Sequence, residues 1–156
     1  MINHAHIKTI INKARVARLA TVDSTLKPHL IPVVFVYDDH DHYYIPIDEK
    51  TKQRSCTKPE KLKRVKNILV NPNVALLIDE YNEDWTKLYF VMIQGRASLI
   101  SNNNNNKKGQ EQNEPLSLLE KAHKLLFEKY HQYQKIGIGK YVIMIYSQKV
   151  ITWKNQ

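Results

Sequence analysis

Residues Val16–Ile47, VARLATVDSTLKPHLIPVVFVYDDHDHYYIPI, hold three short runs rich in β-branched and aromatic residues, Val16–Val22, Leu30–Tyr37 and Tyr43–Ile47, separated by the polar turns Asp23–Lys27 and Asp38–His42. Runs this short, bounded by turn residues, read as strands, and connections this tight join them as antiparallel hairpins. The same rhythm returns further along. Asn71–Pro72–Asn73 stops one element and launches Val74–Ile78; Leu88–Ile100 is long enough to bend; Tyr141–Tyr146 and Val150–Trp153 close the chain around a Ser147–Gln148–Lys149 turn. Gly95, in the middle of the long run, marks a bulge or a place where something approaches the backbone closely.

Helical spacing interrupts the strands in three places. Ile7, Ile10, Ile11 and Ala14 make a short amphipathic helix near the start, and Pro115 opens a later one whose Leu119, Ala122, Leu126 and Tyr130 share a face. Between the third and fourth strands lies Asp48–Asn67, DEKTKQRSCTKPEKLKRVKN, with eight Lys and Arg against three acids. Its net charge of +5 is more than half of the chain's +9. Thr57 and Glu60 have capping-box spacing and Pro59 sits in the first turn, so a helix is expected to begin here, with Leu62, Val65, Ile68 and Leu69 as its buried stripe. Lys50, Lys52 and Arg54 then precede a helix N-terminus, where free N–H groups and the helix dipole favour a phosphate or carboxylate. The competing reading of such a run is a solvated basic helix face.

A length of 156 residues suits one domain with a real core, and 42% hydrophobic with 25% charged residues is ordinary for a globular protein. Positive charge implies an acidic partner without choosing between a nucleotide cofactor, nucleic acid and a membrane surface. Cys56 is the only cysteine, which excludes an intrachain disulfide and a cysteine metal cluster. The longest apolar run, Leu30–Val36, is too short to span a bilayer, and the N-terminus carries no apolar signal-peptide segment, so the expected location is the cytoplasm. Ser101–Glu114, with five consecutive Asn and no apolar side chain, reads as a mobile loop within a single domain over 1–156. Tyr141–Tyr146 is apolar at every position and therefore needs cover on both faces, one from the core and the other expected from a second subunit.

Six or seven short strands with a few outer helices point to a mainly β fold with flanking α, a closed or nearly closed antiparallel barrel. The order ARVARLATVD (14–23), PHLIPVVFVYDD (28–39), IDEKTKQ (47–53), NILVNPNVALLIDEYNEDW (67–85) and QGRASLI (94–100) resembles the pyridoxamine 5'-phosphate oxidase-like FMN-binding split β-barrel family. More narrowly, the EDW after the NP-x-V-x-LL-x-D strand is similar to a subgroup of F420-dependent (deazaflavin) oxidoreductases.

That resemblance implies a split antiparallel β-barrel working as a homodimer, with F420 or FMN in a cleft at the subunit interface and hydride transfer to a small-molecule substrate. Its phosphate contacts would come from the loop after the third strand and the following helix, hence from Lys50, Lys52 and Arg54, with Lys58, Lys61 and Arg64 behind them. Pro32, Val33 and Val34 would line the ring pocket. Trp85 either covers the ring from the partner subunit or packs on the core rim. Gly95 and Arg96 would pass near the cofactor or the dimer axis. The chemistry would be the cofactor's, so no catalytic acid–base pair is assigned. An alternative from another class is a protein of the same fold that holds FMN or haem without turnover. Two departures matter: the Asp23–Lys27 turn lacks the glycine of many relatives, and Trp153 is followed by Lys154 where the oxidases proper have the substrate-holding arginine.

Asp38, Asp39, His40, Asp41 and His42 carry metal-ligand chemistry, but at a hairpin turn where Asp and His are common; no metal site is assigned. Specific nucleic-acid binding is not expected either, because no aromatic residue lies between Thr51 and Glu80 to stack on bases.

Overall fold

The computed structural model describes residues 3–48, 58–101 and 117–155. The elements run α1 (His4–Lys13), β1 (Ala17–Val22), β2 (Pro28–Val33), β3 (Val36–Tyr37), β4 (His42–Pro46), a 3-10 turn at Pro59–Lys61, α2 (Lys63–Val70), β5 (Asn73–Glu80), a second 3-10 turn at Trp85–Lys87, β6 (Tyr89–Ser101), α3 (Leu118–Lys129), α4 (Tyr133–Ile136) and β7 (Tyr141–Lys154). All described strand pairings are antiparallel, in the order β2-β1-β5-β6-β7-β4-β3.

β2 and β3 stand at opposite ends of that order, yet only Val34 and Phe35 separate them in the chain. The single strand expected over Leu30–Tyr37 is therefore two, and the crossing between them closes the sheet into a split barrel. Leaving one edge for the other strips Phe35 of ladder partners. Tyr130 replaces them: its hydroxyl accepts from the Phe35 N–H at 3.1 Å and lies 3.0 Å from the Phe35 carbonyl and 2.8 Å from that of Arg15, to either of which it can donate.

Alternation along the strands fills the barrel. Leu19, Leu76, Ile93 and Ile145 point inward and are fully buried, and α1 adds Ile10 and Ile11 to the same cluster. Gly95 has the predicted reason to be glycine, since a Cβ there would overlap the Tyr146 carbonyl oxygen. Register shifts at that point: Gln94 pairs with Lys149 and Gly95 with Ser147, leaving Gln148 as the extra residue of a β-bulge. The Ser147–Gln148–Lys149 turn expected from the sequence is this bulge, and β7 runs through it unbroken.

The second face of β7 is covered from within the same chain at its start. Val142, Val36 and Tyr44 pack against Leu119, Ala122, Leu126, Tyr130 and Tyr133 of the α3–α4 layer. This layer buries Val142 and part of Met144, while Tyr146 on the same face stays 50% exposed, so part of the face expected to meet a second subunit is covered within the chain. The α3 helix starts with a capping box, Ser117 N–H donating to Glu120 Oε2 at 2.8 Å and the Glu120 N–H returning to Ser117 Oγ at 3.2 Å; Pro115 lies outside the described residues.

The α2 helix begins later than its sequence suggests. Pro59–Lys61 forms a 3-10 turn and the α-helix starts at Lys63 with Leu62 as N-cap; Thr57 is outside the described residues. Its buried positions are Val65, Asn67 and Ile68, while Leu69 is exposed. Asn67 earns its burial by donating from Nδ2 to the buried Thr21 hydroxyl at 2.9 Å, which docks α2 on β1.

Candidate functional site

A pocket of about 240 Å³ opens at the barrel's seam, lined by Val16, Ile31–Val34, Ile45, Pro46, Asp48 and Arg64. Both of its prolines lie on strands that tolerate them: Pro32 is on the edge strand β2, and Pro46 ends β4. They leave the wall without two N–H donors, and the neighbouring Val and Ile side chains make it apolar. Pro32, Val33 and Val34, predicted from the sequence to meet a ring, are brought together on this wall.

Two charged side chains break the apolar lining. Arg64 comes from the first turn of α2, whose N-cap makes no side-chain hydrogen bond and whose first turn holds no acid. The guanidinium on the wall thus comes from the positive end of the helix. Its neighbour Lys63 is engaged elsewhere, bound at 2.9 Å to Asp23, which also accepts from Thr25 and Lys27 at the β1–β2 turn. Lys63 and these donors hold the Asp23 carboxyl well below the usual carboxylate range. The second charge is Asp48, just beyond β4, whose Oδ1 accepts from the Tyr133 hydroxyl at 2.8 Å. Burial, then this bond, raises the Tyr133 phenol above its ordinary value, so it stays a donor.

Lys50, Lys52 and Arg54 lie outside the described residues. Lys58 is the exposed N-cap of the first 3-10 turn and does not line the pocket; Lys61 is exposed as well. Trp85 starts the 3-10 turn of the β5–β6 hairpin with 63% of its surface exposed, so it does not pack on the core rim. Strand register puts that hairpin's tip at the same end of the sheet as the pocket, because Arg18 pairs with both Pro32 and Leu77. Gly95 answers to β7, and exposed Arg96 reaches Asn73 at 3.4 Å. Of the lining residues, the sequence reading set Arg64 behind Lys50, Lys52 and Arg54 and did not single out Asp48; the signal available for Arg64 was its position in the first turn, which the later helix start reveals.

Elsewhere, the Asp38–His42 turn does structural work. The Asp38 side chain is 1% exposed and accepts from the His40 and His42 N–H groups, the Tyr44 hydroxyl and Lys121 Nζ, tying the hairpin to α3. Burial alone would raise its pKa; the Lys121 bond and the backbone donors outweigh that and hold it below the usual range. His42 Nδ1 lies 3.3 Å from Asp38 Oδ2 without the alignment of a hydrogen bond. Among the described residues no three His, Cys, Asp or Glu converge as a metal site. A second hollow, about 320 Å³ on the outer sheet face beside Ala20, Ala75 and Gln148, has no charged lining residue.

The architecture matches solved structures of low sequence identity. The haem storage protein HutZ of Vibrio cholerae is 16% identical, with a TM-score of 0.65 over 99% of this chain and 95% of that one. An FAD-binding protein of Mesorhizobium loti is 16% identical at a TM-score of 0.59, covering 97% and 92%. A putative pyridoxamine 5'-phosphate oxidase of Listeria innocua is 19% identical at 0.58, covering 95% of each. No curated protein matches the sequence. Residues 4–132, which span every element from α1 to α3, match the family description itself, and on that match together with the split barrel the chain belongs to the pyridoxamine 5'-phosphate oxidase family.

Proposed function

We propose that this protein is a flavin- or deazaflavin-dependent oxidoreductase that acts on a small molecule as a cytoplasmic homodimer. The observation that carries the reading is the seam pocket: an apolar wall of Ile31–Val34 faced by Arg64 at an uncapped helix N-terminus. This lining suits a flat heterocycle with an anionic arm. Pro32, Val33 and Val34 would pack on the ring, while Arg64 and the α2 N-terminus neutralise the phosphate, assisted by Lys50, Lys52 and Arg54 from the adjoining segment. The bound ring supplies the hydride chemistry. The chain's own part is to orient it and keep water from one face.

A partner subunit is the natural completion. A volume of about 240 Å³ falls below the roughly 300–1,000 Å³ of ordinary ligand pockets, so one chain encloses only part of a cofactor. The outer sheet face supports the same reading, since the register sets Pro32, Arg18, Leu77, Met92 and Ile151 in one row across five strands, and neither core cluster includes them. Trp85, exposed at the pocket's end of the sheet, would cover a ring in the other subunit.

F420 is favoured over FMN by the EDW resemblance and by the anionic tail that a basic approach would suit. Haem, held without turnover, is the alternative that HutZ suggests, but none of the lining residues among those described is a His, Cys, Met or Tyr able to ligate iron. Titration of the purified protein with F420, FMN and hemin, read by absorbance and melting temperature, tests the reading. F420 binding more tightly than FMN is expected, and Arg64→Ala should weaken both far more than Lys66→Ala. Stoichiometric FMN that F420 cannot displace would remove the deazaflavin preference; indifference to both would remove the function.

A further inference from the structure

We propose that Asp48, held in place by Tyr133, selects what the seam pocket accepts: a planar heterocycle that presents an imide or amide N–H, and not one whose edge carries carboxylates. The inference rests on the flavin or deazaflavin reading and deepens it.

Asp48 and Arg64 are the pocket's only charged lining residues among those described, and they differ in kind. A guanidinium attracts any anion, so Arg64 cannot tell a phosphate from a propionate. An ionised carboxylate can only accept hydrogen bonds, and it repels anions. Asp48 is therefore the group that discriminates. Its orientation is set from the core. Tyr133 is buried, with its ring edge-on to Tyr130 at 6.2 Å, and its hydroxyl is bonded to Asp48 Oδ1. A buried phenol deprived of its acceptor is costly, so the tyrosine holds the carboxylate in one position. Among the described residues Oδ2 takes no hydrogen bond, and Asp48 is exposed on the pocket wall.

The pyrimidine edge of a flavin or deazaflavin carries one imide N–H between two carbonyls. Haem offers no N–H once iron is bound and carries two propionates. A ligand that gives its N–H to Asp48 and its phosphate to Arg64 uses both charges; haem satisfies at most one and is repelled by the other. A charge-assisted hydrogen bond at a pre-positioned acceptor corresponds to a roughly 10- to 150-fold affinity difference.

The test uses three probes on the purified full chain: FMN, FMN methylated at its imide nitrogen, and hemin. Fluorescence quenching gives the first two affinities and Soret absorbance the third. In the wild type, methylation should weaken binding by at least about tenfold. In Asp48→Ala the two flavins should bind equally and hemin more tightly. Tyr133→Phe separates orientation from charge: it should lose discrimination between the flavins while still rejecting hemin. Equal wild-type affinity for FMN and its methylated form, a measurement that needs no variant, would overturn the proposal while leaving flavin binding intact. Failure of the wild type to bind FMN or F420 at all would overturn both this and the function it rests on.

Discussion

Replacing Leu126 by alanine tests whether the second face of β7 is sealed within the chain. Leu126 is fully buried in the cluster that joins α3 to Val36, Tyr44 and Val142. The substitution removes three carbon groups from a dry environment, about 2.4 kcal/mol at about 0.8 kcal/mol each. Incomplete collapse of the resulting cavity brings the expected loss into the range of about 2.5–5 kcal/mol. Urea unfolding followed by circular dichroism at two protein concentrations, tenfold apart, measures it. The difference between variant and wild type should be the same at both concentrations, because Leu126 faces its own chain and not a partner. A loss under about 1 kcal/mol, or one that vanishes at high concentration, would mean that the face is covered from outside and that the α3 packing described above is wrong.

Gly95→Ala should cost about 1–3 kcal/mol or more, since the added methyl meets the Tyr146 backbone and not a movable side chain; a melting temperature within a degree of wild type would refute the close approach. Because the folded pKa of Asp38 is depressed, its contribution is complete above the unfolded carboxylate value of about 3.9 and is lost as pH falls through the folded one. Lys121→Met should therefore move the acid-unfolding midpoint to higher pH, and an unchanged midpoint would count against the Asp38 anchor. Lys129 lies over the Phe35 ring at 4.1 Å, and burial, then neighbouring Arg15, push it down to about 8. The unfolded chain binds more protons at this site between about pH 8 and 10, so stability should rise across that window, and Lys129→Met should flatten the rise; an identical slope in the variant would place the lysine in solvent.

How much of this could be read in advance depended on whether the signal was local. Strand positions followed from runs such as Val74–Ile78 and Tyr43–Ile47, and Gly95 announced a crowded backbone because no other residue fits there. What failed needed information from across the chain. Ser147–Gln148–Lys149 looks like a turn in isolation, but its partner β6 continues opposite it and turns it into a bulge. The apolar run Tyr141–Tyr146 implied cover on both faces, yet nothing in the run says that α3 supplies it at Val142 while Tyr146 stays exposed. The Thr57–Glu60 spacing suggested a helix start that the 3-10 turn displaced to Lys63, and with it went the first-turn position of Arg64. The position of Asp48 was illegible for a plainer reason: its hydrogen-bond partner, Tyr133, lies eighty-five residues away.

The location of the pocket follows from the way the barrel closes. A strand that leaves one sheet edge and joins the other cannot keep both edges in register, so the edges separate where it crosses. Here the crossing residues are Val34 and Phe35, and the gap is walled by the β2 residues just before them and by the end of β4. Such a gap would ordinarily expose backbone groups. Tyr130 takes those of Phe35, and Pro32 and Pro46 have no N–H to offer. The wall thereby lacks two backbone donors, and among its described lining residues Arg64 and Asp48 are the charged ones. The core clusters hold Val33 and Phe35 beside the seam, whereas Asp48 is bonded to the buried Tyr133 hydroxyl, so Asp48→Ala should also cost about 1–3 kcal/mol of stability, read as a lower urea midpoint, and an unchanged midpoint would refute that bond.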